Sequence, residues 1–186
     1  MEGRPRLVVL SGPSGVGKSS VVAEVRRLLP EVFFSISVTT RPARSGEWDG
    51  EHYWFVADET FDDLVARGLL LEHAEYAGNR YGTPRLPVEE ALAAGRPAML
   101  EIDVKGARQV RAAMPDAVLV MLLPPTWSAL VDRLTARGTE SDDVLARRLL
   151  AAREELSAAG EYDRTLVNDN VREAAARLVA LLIGQC

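Results

Sequence analysis

Apolar runs alternate with helical patterns along this chain. Four runs have the length and composition of buried strands: residues 7–10, 97–103, 117–123 and 164–169. Between the first two, Val21, Val25 and Leu28 recur at helical spacing until Pro30 interrupts the pattern, and residues 171–184 form a second helical pattern. Strands that alternate with helices predict an α/β fold with a parallel sheet flanked by helices.

Two long segments do not fit this alternation. Residues 35–84 are rich in polar and aromatic side chains, and residues 127–159 read as two helices around a short loop. We therefore predict one α/β core that carries two excursions. Without internal repeats or low-complexity tracts, the length of 186 residues suggests a single domain with insertions.

The first strand is followed by the sequence GPSGVGKSS and then by a helix. This matches G-x-x-x-x-G-K-[ST] from Gly12 to Ser19, in the strand–loop–helix order that a P-loop requires. Glycines let successive backbone N–H groups face phosphate oxygens, and Lys18 adds a full positive charge. The alternative is a flexible glycine turn, which the flanking strand and helix make a poor explanation. We predict a nucleotide-phosphate site with Mg²⁺ near the Ser19 hydroxyl.

Two acids end the second predicted strand. Glu101 and Asp103 alternate on one face of residues 97–103, at the end that faces the ligand crevice in parallel sheets. An apolar run followed by an acid is also the arrangement in which a carboxylate approaches Mg²⁺ or its waters in P-loop proteins. Glu101 is therefore the second predicted Mg²⁺ contact.

Arginines concentrate in both excursions. Arg133 and Arg137 lie four apart on one helical face, and Arg148 lies on the next helix. A solvated helix face would explain any one of them, whereas the cluster favours a lid over phosphates. In the other excursion, Arg41 and Arg44 can grip a second phosphate bidentately. Together they indicate a kinase that acts on a small phosphorylated substrate.

Composition narrows this prediction further. The net charge of −5 differs from that of a protein whose surface binds nucleic acid, which is basic. A hydrophobic content of 47% is ordinary for a soluble globular protein. No apolar run reaches the roughly 18 residues of a membrane span, and the N-terminal run is too short for a signal peptide. We expect a cytoplasmic protein that binds neither nucleic acid nor membranes.

Four sequence blocks resemble those of the guanylate kinase family. They are S-x-TTR-x-x-R-x-GE-x-x-G-x-x-Y from Ser37, E-x-A-x-x-x-G-x-x-YGT from Glu72, EID from Glu101 and RL-x-x-RG from Arg133. The resemblance extends from Arg6 to Asp169, and the first block is highly specific. It implies phosphoryl transfer from ATP to GMP, with Mg²⁺ as cofactor. It also implies a P-loop core (1–34, 85–126, 160–186), a GMP-binding subdomain (35–84) and a lid (127–159).

The resemblance also implies roles for individual residues. ATP would contact Gly12, Pro13, Ser14, Gly15, Val16, Gly17, Lys18, Ser19, Ser20, Arg133, Arg137 and Asn168, the last beside adenine. GMP would contact Ser37, Arg41, Arg44, Tyr53, Glu72, Tyr81, Thr83 and Asp103. Catalysis would depend on Lys18, Arg41, Arg137 and Arg148.

The guanine assignment has independent chemical support. Guanine presents N1–H and an exocyclic amine side by side, and one carboxylate accepts both hydrogen bonds. A buried Glu72 that faced adenine would be left partly unpaired, which costs about 1–3 kcal/mol.

Two alternatives remain open from the sequence. One is a kinase of another small phosphate ester. Such a substrate has no base, so Ser37, Glu72 and Asp103 would have no group to recognise. The other is a guanylate-kinase-like module that binds proteins and has no use for a P-loop. Either a monomer or a homodimer is compatible with the sequence, and dGMP is expected to replace GMP.

Overall fold

The structure is a computed structural model that describes residues 6–76, 78–135 and 142–185. Within these residues the strands are β1 (Leu7–Ser11), β2 (Phe33–Phe34), β3 (Val38–Thr39), β4 (Trp54–Phe55), β5 (Leu70–Tyr76), β6 (Asn79–Pro84), β7 (Ala98–Glu101), β8 (Val118–Leu123) and β9 (Arg164–Val167). The helices are α1 (Lys18–Leu28), α2 (Asp58–Ala66), α3 (Arg85–Ala93), α4 (Val104–Ala113), α5 (Trp127–Thr135), α6 (Asp142–Ser157) and α7 (Val171–Leu182). A 3₁₀ turn over Ala158–Glu161 follows α6.

The core is a five-stranded sheet in the order β2-β7-β1-β8-β9, and each neighbouring pair is parallel. Central strand β1 is buried on both faces. Val8 and Leu10 pack into one hydrophobic cluster, and Leu7 and Val9 into another on the opposite face. This two-sided burial explains why β1 is a continuous apolar run, and it confirms the predicted α/β fold with helices flanking a parallel sheet.

A second sheet is formed by the first excursion. Its four strands have the order β4-β3-β6-β5; β3 and β4 are parallel, and the other pairs are antiparallel. Val38, Phe61 and Leu70 form a small hydrophobic cluster of its own beneath it. The excursion therefore has a packing centre of its own, and Leu71 of β5 also packs into the core cluster that contains Leu7 and Val9.

Helix α4 connects this second sheet to the core. The side-chain amide of Gln109 donates to the carbonyl oxygen of His73 at 2.8 Å, and its oxygen accepts from the His73 amide at 3.1 Å. Gln109 thus acts as an extra partner for strand β5, and we call this pair of hydrogen bonds the Gln109 clamp.

The second excursion contains the two predicted helices, α5 and α6, and the loop between them lies outside the described residues. Leu130, Leu134 and Ala152 are buried in the hydrophobic cluster that also contains Val8 and Leu10. These helices therefore pack on the core.

Two details differ from the sequence-based expectation. Strand β7 ends at Glu101, so Asp103 does not continue the strand as predicted. Instead Asp103 is the N-cap of α4, and its Oδ1 accepts a hydrogen bond from the Gly106 amide at 2.8 Å. An aspartate at this position satisfies an otherwise free helix N–H, which favours an early helix start over a longer strand.

The helices among the described residues lack the combination of length and apolarity that a bilayer span requires.

Candidate active site

The loop between β1 and α1 follows a backbone path that requires glycine. Gly12 and Gly17 have φ values of 151° and 99°. A Cβ on Gly12 would lie 2.6 Å from the Leu122 carbonyl oxygen, and one on Gly17 would lie 2.5 Å from Nδ2 of Asn168. The loop therefore runs directly against β8 and the residue that follows β9. This is the curled backbone that a phosphate-binding loop needs.

Lys18 begins α1 and turns back into the loop. Its ammonium donates hydrogen bonds to the carbonyl oxygens of Gly12 and Pro13. Burial lowers the pKa of Lys18, and three nearby carboxylates oppose that shift: Glu101, Glu155 and Asp103. A charged group that is held only by neutral carbonyls is ready to exchange them for phosphate oxygens.

The Val16 carbonyl oxygen connects the loop to helix α5 and to the residue that follows β9. It accepts hydrogen bonds from Arg133 Nη1 at 3.0 Å and from Asn168 Nδ2 at 2.8 Å. Arg133 Nη2 also donates to the Asn168 carbonyl oxygen at 3.3 Å. Both predicted ATP contacts therefore brace the loop, and the Asn168 side-chain oxygen remains buried and unpaired.

Helix α6 of the second excursion reaches the loop. Arg148 Nη2 donates to Ser14 Oγ at 2.6 Å, so this predicted catalytic arginine already lies at the phosphate cradle. Ser19 and Ser20 are exposed in the first turn of α1. Arg137, the other predicted lid arginine, lies outside the described residues.

A cavity of about 460 Å³ lies between the second sheet and the end of β7. Seven of the eight predicted GMP contacts line it: Ser37, Arg41, Arg44, Tyr53, Glu72, Tyr81 and Asp103. Glu101 lines it as well. The eighth predicted contact, Thr83, lies behind Glu72 and is buried. The structure thus brings these residues together from distant parts of the sequence.

One end of this cavity is cationic. Both terminal nitrogens of Arg41 donate to the Glu47 carboxylate at 2.9 Å, and the Arg44 amide donates to it at 2.8 Å. These contacts lower the pKa of Glu47 to about 2. Glu47, with Tyr81 as a further contributor, raises the pKa of Arg41. The guanidinium also lies 5.3 Å from the Tyr53 ring centroid, so Glu47 and Tyr53 together fix its orientation.

The other end contains a buried carboxylate. Glu72 is only 6% exposed, and Thr83 Oγ1 donates to its Oε1 at 2.6 Å. Burial raises the pKa of Glu72, the charge of Asp103 adds to the rise, and the Thr83 hydrogen bond opposes it. Oε2 faces helix α4, where a Cβ on Gly106 would lie only 2.8 Å from it. The absence of a side chain at Gly106 therefore makes the space in which this carboxylate sits.

The donors for a metal ion at this site are oxygens. The Ser19 hydroxyl and the Glu101 carboxylate are hard ligands of the kind Mg²⁺ prefers. Partial desolvation raises the pKa of Glu101 and the charge of Lys18 lowers it, although the glutamate side chain keeps contact with solvent. Among the described residues, no three His, Cys, Asp or Glu side chains form a group that could hold a metal ion. The Ser19 hydroxyl and the Glu101 carboxylate fit Mg²⁺ by the chemistry of their oxygens.

Sequence reasoning missed three residues of this site. Glu47 stands inside the first motif block as part of the GE pair, and its proximity to Arg41 was the available signal. Gly106 follows the EID block, but no sequence pattern indicates that its missing side chain makes room for Glu72. Glu155 lies on α6, beyond every quoted block, and only the fold brings its charge near Lys18.

The fold and the site define a P-loop phosphotransferase with a second pocket for a small ligand that carries an anionic group. The guanylate kinase family model matches residues 4–184. The chain therefore belongs to the guanylate kinase family.

Individual relatives agree with this assignment. The chain is 64% identical over 177 residues to a guanylate kinase of Thermobifida fusca, covering 95% of this chain and 90% of that protein. It is 61% identical over 180 residues to one of Streptomyces coelicolor, covering 97% and 91% of the two chains. The crystal structure of a guanylate kinase from Anaplasma phagocytophilum is similar with a TM-score of 0.74 at 33% identity, covering 98% of this chain and 86% of that one.

Glu72 leads to a prediction about stability. Because burial raises its pKa in the folded protein, the folded state binds a proton more readily than the unfolded chain. The stability associated with this group is then fully present below the ordinary glutamate pKa of 4.5 and is lost as pH rises through the higher folded pKa. Glu72→Gln should therefore raise the free energy of unfolding at pH 8, with little effect near pH 4.

Urea unfolding at both pH values measures this difference. Glu75→Gln, an exposed position on the same strand, is the matched control. A Glu72→Gln protein that is less stable than wild type at pH 8 would contradict the assignment of an unfavourable buried charge.

Proposed function

We propose that this protein transfers the γ-phosphoryl group of ATP to the phosphate of GMP, and also of dGMP, to give ADP and GDP. The observation that carries the proposal is a P-loop with its lysine next to a cavity that holds two arginines and a buried carboxylate; Glu101 lines this cavity, and its charge acts on Lys18. Lys18 and the P-loop form the first anion-binding region, Arg41 and Arg44 form the second, and Glu72 lies in the same cavity as these arginines.

Guanine is the base that fits the buried end. Glu72 accepts from guanine N1–H and the exocyclic amine, while Thr83 holds the carboxylate in place with its hydroxyl. Ser37 and Asp103 supply further polar groups on the cavity wall. The pocket offers adenine no such match, because adenine has an acceptor at N1.

The acceptor phosphate is bound at the cationic end. Arg41 and Arg44 grip its non-transferring oxygens, and the hydroxyls of Tyr53 and Tyr81 add donors. The Glu47 contact fixes the orientation of Arg41. The acceptor oxygen is then held toward the P-loop, which is the positioning that phosphoryl transfer requires.

The donor nucleotide occupies the P-loop. Backbone amides of the Gly12–Ser20 loop and the Lys18 ammonium contact its phosphates, and Arg133 and Asn168 support the loop beneath them. The unpaired Asn168 oxygen is an acceptor for an adenine amine. Arg148 and Arg137 close from the lid to stabilise the charge on the transferring group and to exclude water.

Mg²⁺ fits beside Ser19 and Glu101. When bound, it neutralises charge on the phosphate oxygens during transfer. The chain's own contribution is a hydroxyl at the start of α1 and a carboxylate at the end of β7, both at the same edge of the sheet.

Closure of residues 35–84 and 127–159 over the core belongs to this proposal. It is supported by the separate hydrophobic cluster under the second sheet and by the contact between Arg148 and the loop. A cytoplasmic location, the absence of nucleic-acid partners and a monomeric or homodimeric state remain predictions from the sequence.

A steady-state assay tests the proposed reaction directly. With MgATP, the purified protein should phosphorylate GMP and dGMP and should use AMP, CMP and UMP poorly. Lys18→Ala should fold normally but lose at least about a hundredfold in kcat, because the lysine stabilises transferring charge. Failure to convert GMP would instead favour a protein-binding module, and preference for a sugar phosphate would favour the other alternative.

The guanine pocket generates a specificity prediction. Glu72→Gln replaces one acceptor oxygen with a donor, which removes a charge-assisted hydrogen bond and opposes guanine's own donors. Since such bonds contribute roughly 1.5–3 kcal/mol, kcat/KM for GMP should fall about ten- to a few-hundred-fold. Discrimination against AMP should relax, and KM for ATP should stay unchanged. Full GMP activity in the variant would show that the base is read elsewhere.

Gly106 generates a prediction of its own. Alanine normally stabilises a helix interior relative to glycine by roughly 0.5–1 kcal/mol, yet here its Cβ would displace the Glu72 carboxylate. Gly106→Ala should raise KM for GMP about tenfold or more and leave KM for ATP unchanged. The control is Gly160→Ala, where a Cβ meets nothing within 4 Å. Equal kinetics for the two variants would contradict a role for Gly106 in positioning Glu72.

A further inference from the structure

Glu47 occupies one edge of the Arg41 guanidinium. The two terminal nitrogens of Arg41 donate to the two carboxylate oxygens of Glu47 at 2.9 Å each, and Nη1 also donates to the Pro42 carbonyl oxygen at 2.8 Å. A guanidinium carries five N–H donors in a fixed planar fork. In the part of the chain that the structure describes, these three hydrogen bonds leave Nε–H and the second hydrogen of Nη2, which lie side by side on the adjacent edge.

The remaining edge belongs to the cavity that we assign to GMP. Arg41, Tyr53 and Tyr81 line this cavity together. Glu47 raises the pKa of Arg41 most, and the Tyr81 hydroxyl adds to the rise, so this phenol lies beside the guanidinium. Because Glu47 and Pro42 take the other donors, a further acceptor can form two parallel hydrogen bonds with Arg41 only through its Nε–Nη2 edge.

The same carboxylate also holds the backbone of the second arginine. Glu47 Oε2 accepts from the Arg44 amide at 2.8 Å, and the Glu47 amide donates to the Arg44 carbonyl oxygen at 3.0 Å. Gly46, with a φ of 85°, supplies the left-handed backbone in this turn. The side chains of Arg41 and Glu47 are only 10% and 18% exposed, so solvent reaches a small part of their ion pair. Removing the carboxylate would therefore release the Arg41 side chain and loosen the turn that carries Arg44.

Glu47 can relate to a bound phosphate in two ways. Either the phosphate displaces the carboxylate from the guanidinium, or both anions share Arg41. Displacement would leave a mostly shielded carboxylate without its guanidinium and next to a second anion, which is unfavourable. Sharing keeps every hydrogen bond of Glu47 and uses the two donors that remain on Arg41. The geometry therefore favours sharing.

We propose that Glu47 is a positioning residue that stays on Arg41 when GMP binds, so that the guanidinium presents its Nε–Nη2 edge to the acceptor phosphate. This inference rests on the proposed function. Glu47 contacts the arginine and not the phosphate, and it acts by restricting the guanidinium to one orientation. The cationic end then binds phosphate with little reorganisation of its own side chains.

Binding measured by titration calorimetry without ATP tests this role, with guanosine as a ligand that lacks the phosphate. Glu47→Ala should weaken GMP binding about tenfold or more and leave guanosine binding within about twofold of wild type, because only the phosphate contacts Arg41. KM for GMP should rise in parallel, and KM for ATP should stay unchanged. The matched control is Glu51→Ala, an exposed glutamate of the same loop that lies outside the set of residues lining the cavity.

A double-mutant cycle separates direct from indirect action. Arg41→Ala alone should weaken GMP binding strongly. If Glu47 acts mainly through Arg41, adding Glu47→Ala to that variant should weaken GMP binding by less than about threefold more.

Several outcomes would overturn the proposal. Tighter GMP binding by Glu47→Ala than by wild type would show that the carboxylate competes with phosphate. An equal weakening for GMP and guanosine would indicate a purely structural role, and additive losses in the cycle would show that Glu47 acts apart from Arg41. GMP binding by Glu47→Ala equal to that of Glu51→Ala would contradict any role. Wild-type protein that neither binds nor phosphorylates GMP would refute the proposed function itself, so the two failures are distinguishable.

Discussion

The parallel pairing of β1 between β7 and β8 is the constraint on which the site depends. It aligns the carboxyl ends of three strands, so that the P-loop, Glu101 and the Leu122 carbonyl meet at one edge of the sheet. The strand is buried on both faces, and its register cannot shift by one residue without exchanging the side chains of two hydrophobic clusters. Every functional element, including the second sheet, is placed relative to that edge.

Each cation of the site is held by a partner within the chain. Arg41 binds Glu47, Lys18 binds loop carbonyls, and Arg148 binds a serine hydroxyl. Ordering of this kind lowers the entropy cost of binding phosphate. The carboxylates of Glu72 and Glu155 are less well compensated, because burial raises the pKa of both. Such local instability is typical of sites whose groups are arranged for a bound state.

The sequence predicted the elements well where the pattern was regular and the chemistry was local. The P-loop could be recognised because its glycines, lysine and serine are contiguous, and the strands could be recognised because both faces of the core sheet are buried. Asp103 was placed on a strand because acids that alternate after an apolar run look alike whether the strand continues or a helix begins. Gly106 lies against Glu72, and Glu155 lies near enough to Lys18 for their charges to interact, so both come close to residues far away in the sequence and no periodicity or motif indicates them. Their contributions depend on how α4 and α6 pack, which is a property of the tertiary structure.

The Gln109 clamp has a mechanical consequence. Two hydrogen bonds tie the backbone of His73 to α4, one residue beyond the Glu72 that we assign to the base. Strand β5 is therefore tied to the core at this point, and Arg41 lies at the other end of the same cavity. If the second sheet moves as a rigid body about this tie, atoms near the tie move least and atoms far from it move most. In the proposed reaction, closure would then displace the base least and the acceptor phosphate most.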